Sequence, residues 1–267
     1  MKRESLLIEP RELLEKLGQG NLRIFDASVG AGPYWEGHIP GAAYFDHERF
    51  SDPASPYDTT ILQPDALIKR VGESGIGNDS EVVVYAAGMI PYAARAWWVL
   101  RYAGHDNVRV LNGGLAAWQA IGGAIETTER TYAPTTFVGR PRPELFADKV
   151  EVQAALGNPE LAVIDVLPQA SYDAAHITGS TCASCFEVMQ GMDAFRPTDE
   201  IAAHLGDTGR HKRLITYCGG GIAAALSAMA YLMIGHEDVA VYDGSLYEWI
   251  AEELPMTGAG DWEIWKR

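Results

Sequence analysis

Residues 213–226 read RLITYCGGGIAAAL. β-branched and aromatic residues run up to one cysteine, three glycines follow, and an alanine-rich stretch begins at once, which is the pattern of a buried strand turning into a helix. Cys218 is thereby set at the carboxyl end of a strand, where α/β sheets form their crevices. Gly219, Gly220 and Gly221 lack a Cβ, so they can adopt positive φ and point successive N–H groups inward, making an anion-binding concavity at a helix N-terminus. Such a field favours the thiolate, the nucleophilic form of cysteine. The competing account is packing alone, since free cysteine is commonly buried and inert.

The rest of the chain decides between them, because it repeats the arrangement without the thiol. LRIFDAS, GHIPGAAYFD, EVVVYAAG, GHDNVRVLNGG and AAWQAIGG recur in the same order as LAVIDVL, AHITGSTCAS, RLITYCGGG, GHEDVAVYDGS and YEWIAEE. Asp26 then corresponds to Asp165, His38 to His176, Tyr85 to Tyr217, Trp118 to Trp249, and Ala86 to Cys218. The first-half loop, AAGMIPYAAR, has one glycine and a bulky MIP, so the glycine cradle accompanies the thiol only. Packing alone does not account for that pairing.

The repeat divides the chain into a first unit at 1–125, an extended Thr-, Pro- and Arg-rich connector at 126–143, and a second unit at 144–267. In each unit short apolar runs (Leu22 to Ala27, Val82 to Ala86, Val108 to Leu111; Leu161 to Val166, Leu214 to Cys218, Val239 to Tyr242) alternate with helical patterns. The fold class is α/β, with mostly parallel strands buried on both faces. Pro10 opens a helix that Gly18 stops, and Thr198 caps another that ends at Gly206.

Composition bounds the partners. Twenty-one Lys and Arg against 36 Asp and Glu give a net charge of −15 over 267 residues, which opposes binding to nucleic acid and anionic membranes. No stretch reaches the ~18 apolar residues of a membrane span. The N-terminus lacks a secretory pattern, and three cysteines, Cys182, Cys185 and Cys218, suit a reducing compartment, so a cytoplasmic location is expected.

The marks DAS…GHIPGAAYFD, ASPYD, ARAWWVLRYAGHDNVRVLNGGLAAW, AHITGS, YCGGGIAA and VYDGSLYEW together make the chain similar to the tandem-domain sulfurtransferases, the rhodanese family. The resemblance implies two rhodanese-like domains, of which only the second is active. It implies that Cys218 accepts a sulfane sulfur as a persulfide and passes it to cyanide, a small thiol or a thiol-containing protein. Thiosulfate is the favoured donor and 3-mercaptopyruvate the second, with no metal or organic cofactor. The backbone of Gly219, Gly220, Gly221, Ile222, Ala223 and Ala224 would stabilise the thiolate and the outer sulfur, and Asp165 is a candidate for the cleft wall. A non-enzymatic persulfide carrier or docking module is the alternative.

Five positions depart from the family pattern. The basic residues or the serine that follow the cysteine in the two donor classes are replaced by Gly219 and Gly220, and the later threonine by Ala223. Ser171 stands where an anion-binding arginine is common, and Val29 replaces a tryptophan. Arg95 and Arg196 are the arginines to be placed, an exposed or interdomain salt bridge being the expectation for both. The sequence argues against a Cys-x5-Arg phosphatase, since the sixth residue beyond Cys218 is Ala224 and no arginine or lysine lies between Gly219 and Glu248.

Three further groups read as structural. Cys182 and Cys185 form a CxxC with no second Cys/His pair, so strand packing is expected, with a resolving thiol toward Cys218 as the alternative. His38 and His176 occur in both halves and are expected to bond loop backbone. Trp97, Trp98, Trp118 and Trp249 are expected in the core.

Overall fold

The computed structural model describes residues 1–206 and 211–264, so the end of the second unit at 267 lies outside the described residues. Two five-stranded sheets carry the chain. The first runs Leu7–Ile8, Val108–Leu111, Glu81–Tyr85, Leu22–Asp26, Ala43–Tyr44, and the second Phe146–Ala147, Val239–Tyr242, Arg213–Tyr217, Leu161–Asp165, Thr181–Cys182. Every pairing in both is parallel, and the registers agree: Asp26 faces Tyr85 as Asp165 faces Tyr217. The repeat in sequence is thus a repeat in space.

Glu81–Tyr85 is buried at every residue and Arg213–Tyr217 at all but its first, as strands covered on both faces must be. The strands into the key loops stop one residue short of the expectation, at Tyr85, Asp165 and Tyr217. Cys218 is therefore the first residue of its loop.

The helices that follow the two central strands, Ile90–Tyr102 and Ile222–Met233, pack on each other and join the units. Ala224, Ala225, Ala228 and Ala230 are fully buried in the second of them, and small side chains let two helix axes approach closely. One apolar core consequently runs through both units. The four tryptophans lie in the core, and each indole N–H finds a carbonyl: Trp97 that of Val108, Trp98 that of Leu145, Trp118 that of Ala124 and Trp249 that of Pro255.

Residues 127–142 run without helix or strand, between a lone bridge of Glu126 to His38 and a 3-10 turn that opens at Pro143, but the connector is strapped to the first unit. Tyr132 donates its hydroxyl to the Gly41 carbonyl at 2.7 Å and accepts from the Ile24 N–H, while Phe137 is buried. Gly75 permits this approach, because a Cβ there would stand 2.3 Å from the Tyr132 Cβ. Pro10 opens its helix as expected. Thr198 does not cap: it is the first helical residue behind Pro197 and makes no side-chain cap bond, and Gly206 keeps right-handed backbone at φ −61°.

Candidate active site

Cys218 is 3% exposed, with its sulfur at the head of the Ile222–Met233 helix. Gly221 donates its N–H to Sγ at 3.2 Å. Gly221 makes that turn at φ +82°, in the left-handed region, and a Cβ would meet Arg95 Nη1 and the Asp243 carbonyl at 3.1 Å. Beyond it the first-turn amides of the helix have no intrahelical acceptors, and the helix dipole adds partial positive charge at this end. Gly219, Gly220, Ile222 and Ala223 line the cleft above the sulfur. Ala224 is fully buried in the helix and its carbonyl accepts from Thr216 Oγ1 at 3.0 Å, so as the third helical residue it can offer the site only a first-turn N–H.

The backbone of the cysteine is held from the next strand. Ser245 Oγ accepts the Cys218 N–H at 3.2 Å and donates to the Tyr242 carbonyl at 2.7 Å. Ser245 does so at φ +49°, where its counterpart in the repeat, Gly114, has φ +53°. A β-carbon is disfavoured there, so the serine stands where the other half uses glycine because its hydroxyl is needed. That substitution between the halves was the sequence signal for Ser245, which the reading of single motifs missed.

The loop is also gripped from the first unit. Thr59, at φ +66°, donates its hydroxyl to the Gly220 carbonyl at 2.5 Å. Arg95 Nη2 donates to the Thr59 carbonyl and to Asp243 Oδ1, both at 2.6 Å, while Asp243 Oδ2 accepts the Ile61 N–H at 2.7 Å. Arg95 is thus an interdomain salt bridge beneath the loop, not a cleft residue. Arg196 pairs with Glu200 on its own helix face at 3.2 Å.

Asp165 corrects the expectation of a cleft-wall carboxylate. It is fully buried and absent from the cleft lining. Its Oδ1 accepts the Leu167 N–H at 2.9 Å, so it fixes the turn below the loop. Burial pushes its carboxyl up to about 6. The first half repeats the device, with Asp26 Oδ1 accepting from the Ser28 N–H and the Tyr85 hydroxyl accepting from the Ile39 N–H, as Tyr217 does from Ile177. His38 and His176 stack on Tyr34 and Tyr172, and Nδ1 of each bonds the carbonyl of the residue it stacks on.

The cleft in front of Cys218 has a volume of about 690 Å³. Both units build it: Met89, Pro91 and Tyr92 come from the first, and Phe186, Met189 and Met192 from the second. Cys185 is a buried part of its wall, whereas Cys182 sits half-buried on the edge strand with its thiol toward the Leu167 carbonyl. Burial pushes both of these thiols up to about 12, leaving them protonated at neutral pH.

The matching loop of the first half is closed. Its Ala86 carbonyl accepts the Leu115 N–H, and the turn between Met189–Gln190 and Ala194–Phe195 seats on it: the Met192 carbonyl accepts the Ile90 N–H at 2.9 Å, and the Asp193 carbonyl the Gly113 N–H at 3.0 Å.

Twin parallel sheets that leave one thiol-bearing crevice at a helix head define a duplicated α/β protein with a single open loop. The rhodanese-like domain family matches the chain twice, over residues 9–121 and 148–252, and the chain belongs to that family. It is similar to the probable 3-mercaptopyruvate sulfurtransferase of Pseudomonas aeruginosa, at 32% identity over 96% of this chain and 98% of the relative. It is equally similar to the thiosulfate sulfurtransferase of Bos taurus, at 32% over 91% and 89%. Among solved structures, SseA of Escherichia coli, a 3-mercaptopyruvate sulfotransferase, superposes with a TM-score of 0.80 at 27% identity, covering 92% of this chain and 99% of that one. An EanB structure with ergothioneine covalently linked to a persulfide cysteine gives 0.83 at 25%, covering 97% and 72%. The protein is a sulfurtransferase.

Proposed function

We propose that Cys218 is the sulfur carrier of this enzyme. Its thiolate attacks the transferable sulfur of a small donor, the donor's S–S or C–S bond breaks with its electron pair leaving on sulfite or on the enolate of pyruvate, and the sulfur stays on Sγ as a persulfide. A thiophilic acceptor, cyanide or a thiol, then attacks the outer sulfur and restores the thiolate. The observation that carries this reading is the Gly221 N–H at 3.2 Å from Sγ, at the floor of the cleft and the positive end of the helix. Donors placed there put their transferred sulfur against fixed N–H groups, which favour negative charge on either sulfur as the bond changes hands. Two relatives carry thiosulfate and 3-mercaptopyruvate in their names, and a similar structure contains a persulfide cysteine.

Gly219, Gly220, Ile222 and Ala223 form the floor over which donor and acceptor exchange, and Ser245 is a positioning residue that holds the Cys218 backbone. A reducing, cytoplasmic compartment suits a chain whose three cysteines are free thiols. No helix among the described residues is long and apolar enough to cross a membrane.

The test is thiocyanate formation from cyanide with thiosulfate, and separately with 3-mercaptopyruvate, by the wild type and Cys218→Ser. Activity lost entirely in Cys218→Ser and kept in a Cys182→Ala/Cys185→Ala double variant supports the reading. Activity kept in Cys218→Ser refutes it.

A further inference from the structure

The cleft that leads to Cys218 does not suit an anionic donor. Among the described residues, nothing that lines it is lysine, arginine or histidine, and its one charged lining residue is Asp58, a like charge to thiosulfate or to the carboxylate of mercaptopyruvate. Arg95 lies beneath the loop and outside the cleft lining, its Nη2 bonded to Asp243 and the Thr59 carbonyl and its Nη1 buried without a hydrogen-bond partner against Gly221. The walls are Met89, Met189, Met192, Phe186, Tyr92 and Tyr247. At the rim Phe186 is 48% and Met192 36% exposed. Large apolar side chains held out to water around a concavity mark a ligand surface. A volume of about 690 Å³ is in the range of sites for drug-sized molecules and far exceeds what a five-atom dianion fills. Methionine and phenylalanine adapt their shape to apolar and sulfur-containing groups.

We propose that the donor this cleft is built for is an organic hydropersulfide, R–S–SH, whose R is an uncharged apolar group. The inference rests on the sulfurtransferase reading of Cys218. The terminal sulfur enters the amide cradle at Gly221, and R lies on the methionine and aromatic wall. The Cys218 thiolate attacks the terminal sulfur, the S–S bond of the donor breaks, and R–S⁻ leaves with the electron pair and takes a proton from solvent: Cys218–S⁻ + R–S–SH gives Cys218–S–SH + R–S⁻. Charge is confined to the reacting sulfurs, where the cradle handles it, and the remainder of the donor gains by leaving water.

The experiment measures the rate at which Cys218 gains one sulfur, by mass, from benzyl hydropersulfide, from glutathione hydropersulfide and from thiosulfate. Each rate is divided by that donor's rate with a free small thiol, which removes intrinsic reactivity. Lys266 and Arg267 lie outside the described residues, so K266A/R267A is run beside the wild type. The corrected rate for the benzyl donor is expected to exceed that for glutathione hydropersulfide by roughly tenfold or more, the scale of burying one aromatic ring, with thiosulfate slower again. In Met192→Lys, which adds a cation to the rim, the ratio of benzyl donor to thiosulfate is expected to fall at least tenfold. Equal corrected rates for the three donors, or a thiosulfate rate in the wild type that collapses in K266A/R267A, overturn the donor assignment while the sulfurtransferase reading stands. No sulfur gained from any donor overturns both.

Discussion

Arg95 Nη2 stands 2.6 Å from Asp243 Oδ1, and through that bond the half without the thiol holds the loop of the half that has it. Both side chains are nearly out of water, at 3% and 11% exposure, so neither charge is screened. The same guanidinium nitrogen fixes the Thr59 carbonyl, and Thr59 in turn fixes Gly220. The unit without the thiol is thus part of the support of the Cys218 loop.

Removing one partner of a buried pair leaves the other charge uncompensated, which costs about 3–5 kcal/mol. Arg95→Met is therefore expected to lower unfolding stability by about 3 kcal/mol, with some recovery in Arg95→Met/Asp243→Asn, where the stranded carboxylate becomes a neutral amide. Urea unfolding reads both. A loss under about 1 kcal/mol in the single variant would show that the pair is not structural.

Ser245 has two opposed terms, a strained φ of +49° and the hydroxyl that takes the Cys218 N–H. Ser245→Ala keeps the strain and leaves a buried N–H unpaired, a cost of about 1–3 kcal/mol. Ser245→Gly loses the same bond but relieves the left-handed strain of a β-carbon, roughly 1–2 kcal/mol. The glycine variant is expected to be the more stable of the two, and both are expected to transfer sulfur more slowly than wild type. Thermal unfolding with the alanine variant on top would contradict the strain argument.

The closed first-half loop makes a negative prediction. Placing a cysteine at Ala86 in a Cys218→Ser background gives a thiol at the equivalent strand end, but under the Met192 and Asp193 carbonyl contacts and without a glycine cradle. No persulfide is expected on that cysteine after incubation with donor. Sulfur gained at position 86 would mean that the turn over it does not close the loop.

Asp165 ties stability to pH. Burial raises its carboxyl to about 6 from the ordinary range near 4, so the folded state favours the protonated form. The stability it lends is complete below pH ~4 and lost as pH rises through about 6. Asp165→Asn carries no charge and has no such slope. Between pH 4 and 7 the wild type is expected to lose stability relative to Asp165→Asn by on the order of 2–3 kcal/mol. Parallel pH profiles for the two proteins would remove Asp165 as the source.

The sheets and their duplication were legible because each strand and helix carries its own pattern and the second half repeats it. Cys218 and its glycines were legible for the same local reason. The interdomain salt bridge expected of Arg95 is present, but its partner and the rest of the surroundings were not legible: Thr59 lies more than a hundred residues away in sequence from the Gly220 carbonyl it grips, and Met89 and Met192 meet at the cleft only after the two units pack. Asp165 was misplaced because a carboxylate at a strand's end can turn up into the crevice or down onto its own turn, and the Leu167 N–H draws it down.

The most direct test of the account is the mass of the peptide containing Cys218 after brief exposure of the reduced enzyme to donor, before and after cyanide. The account predicts one added sulfur atom on that peptide, its removal by cyanide, and no addition in Cys218→Ser or on peptides carrying Cys182 and Cys185. Sulfur found on Cys182 or Cys185 with Cys218 unmodified would contradict it.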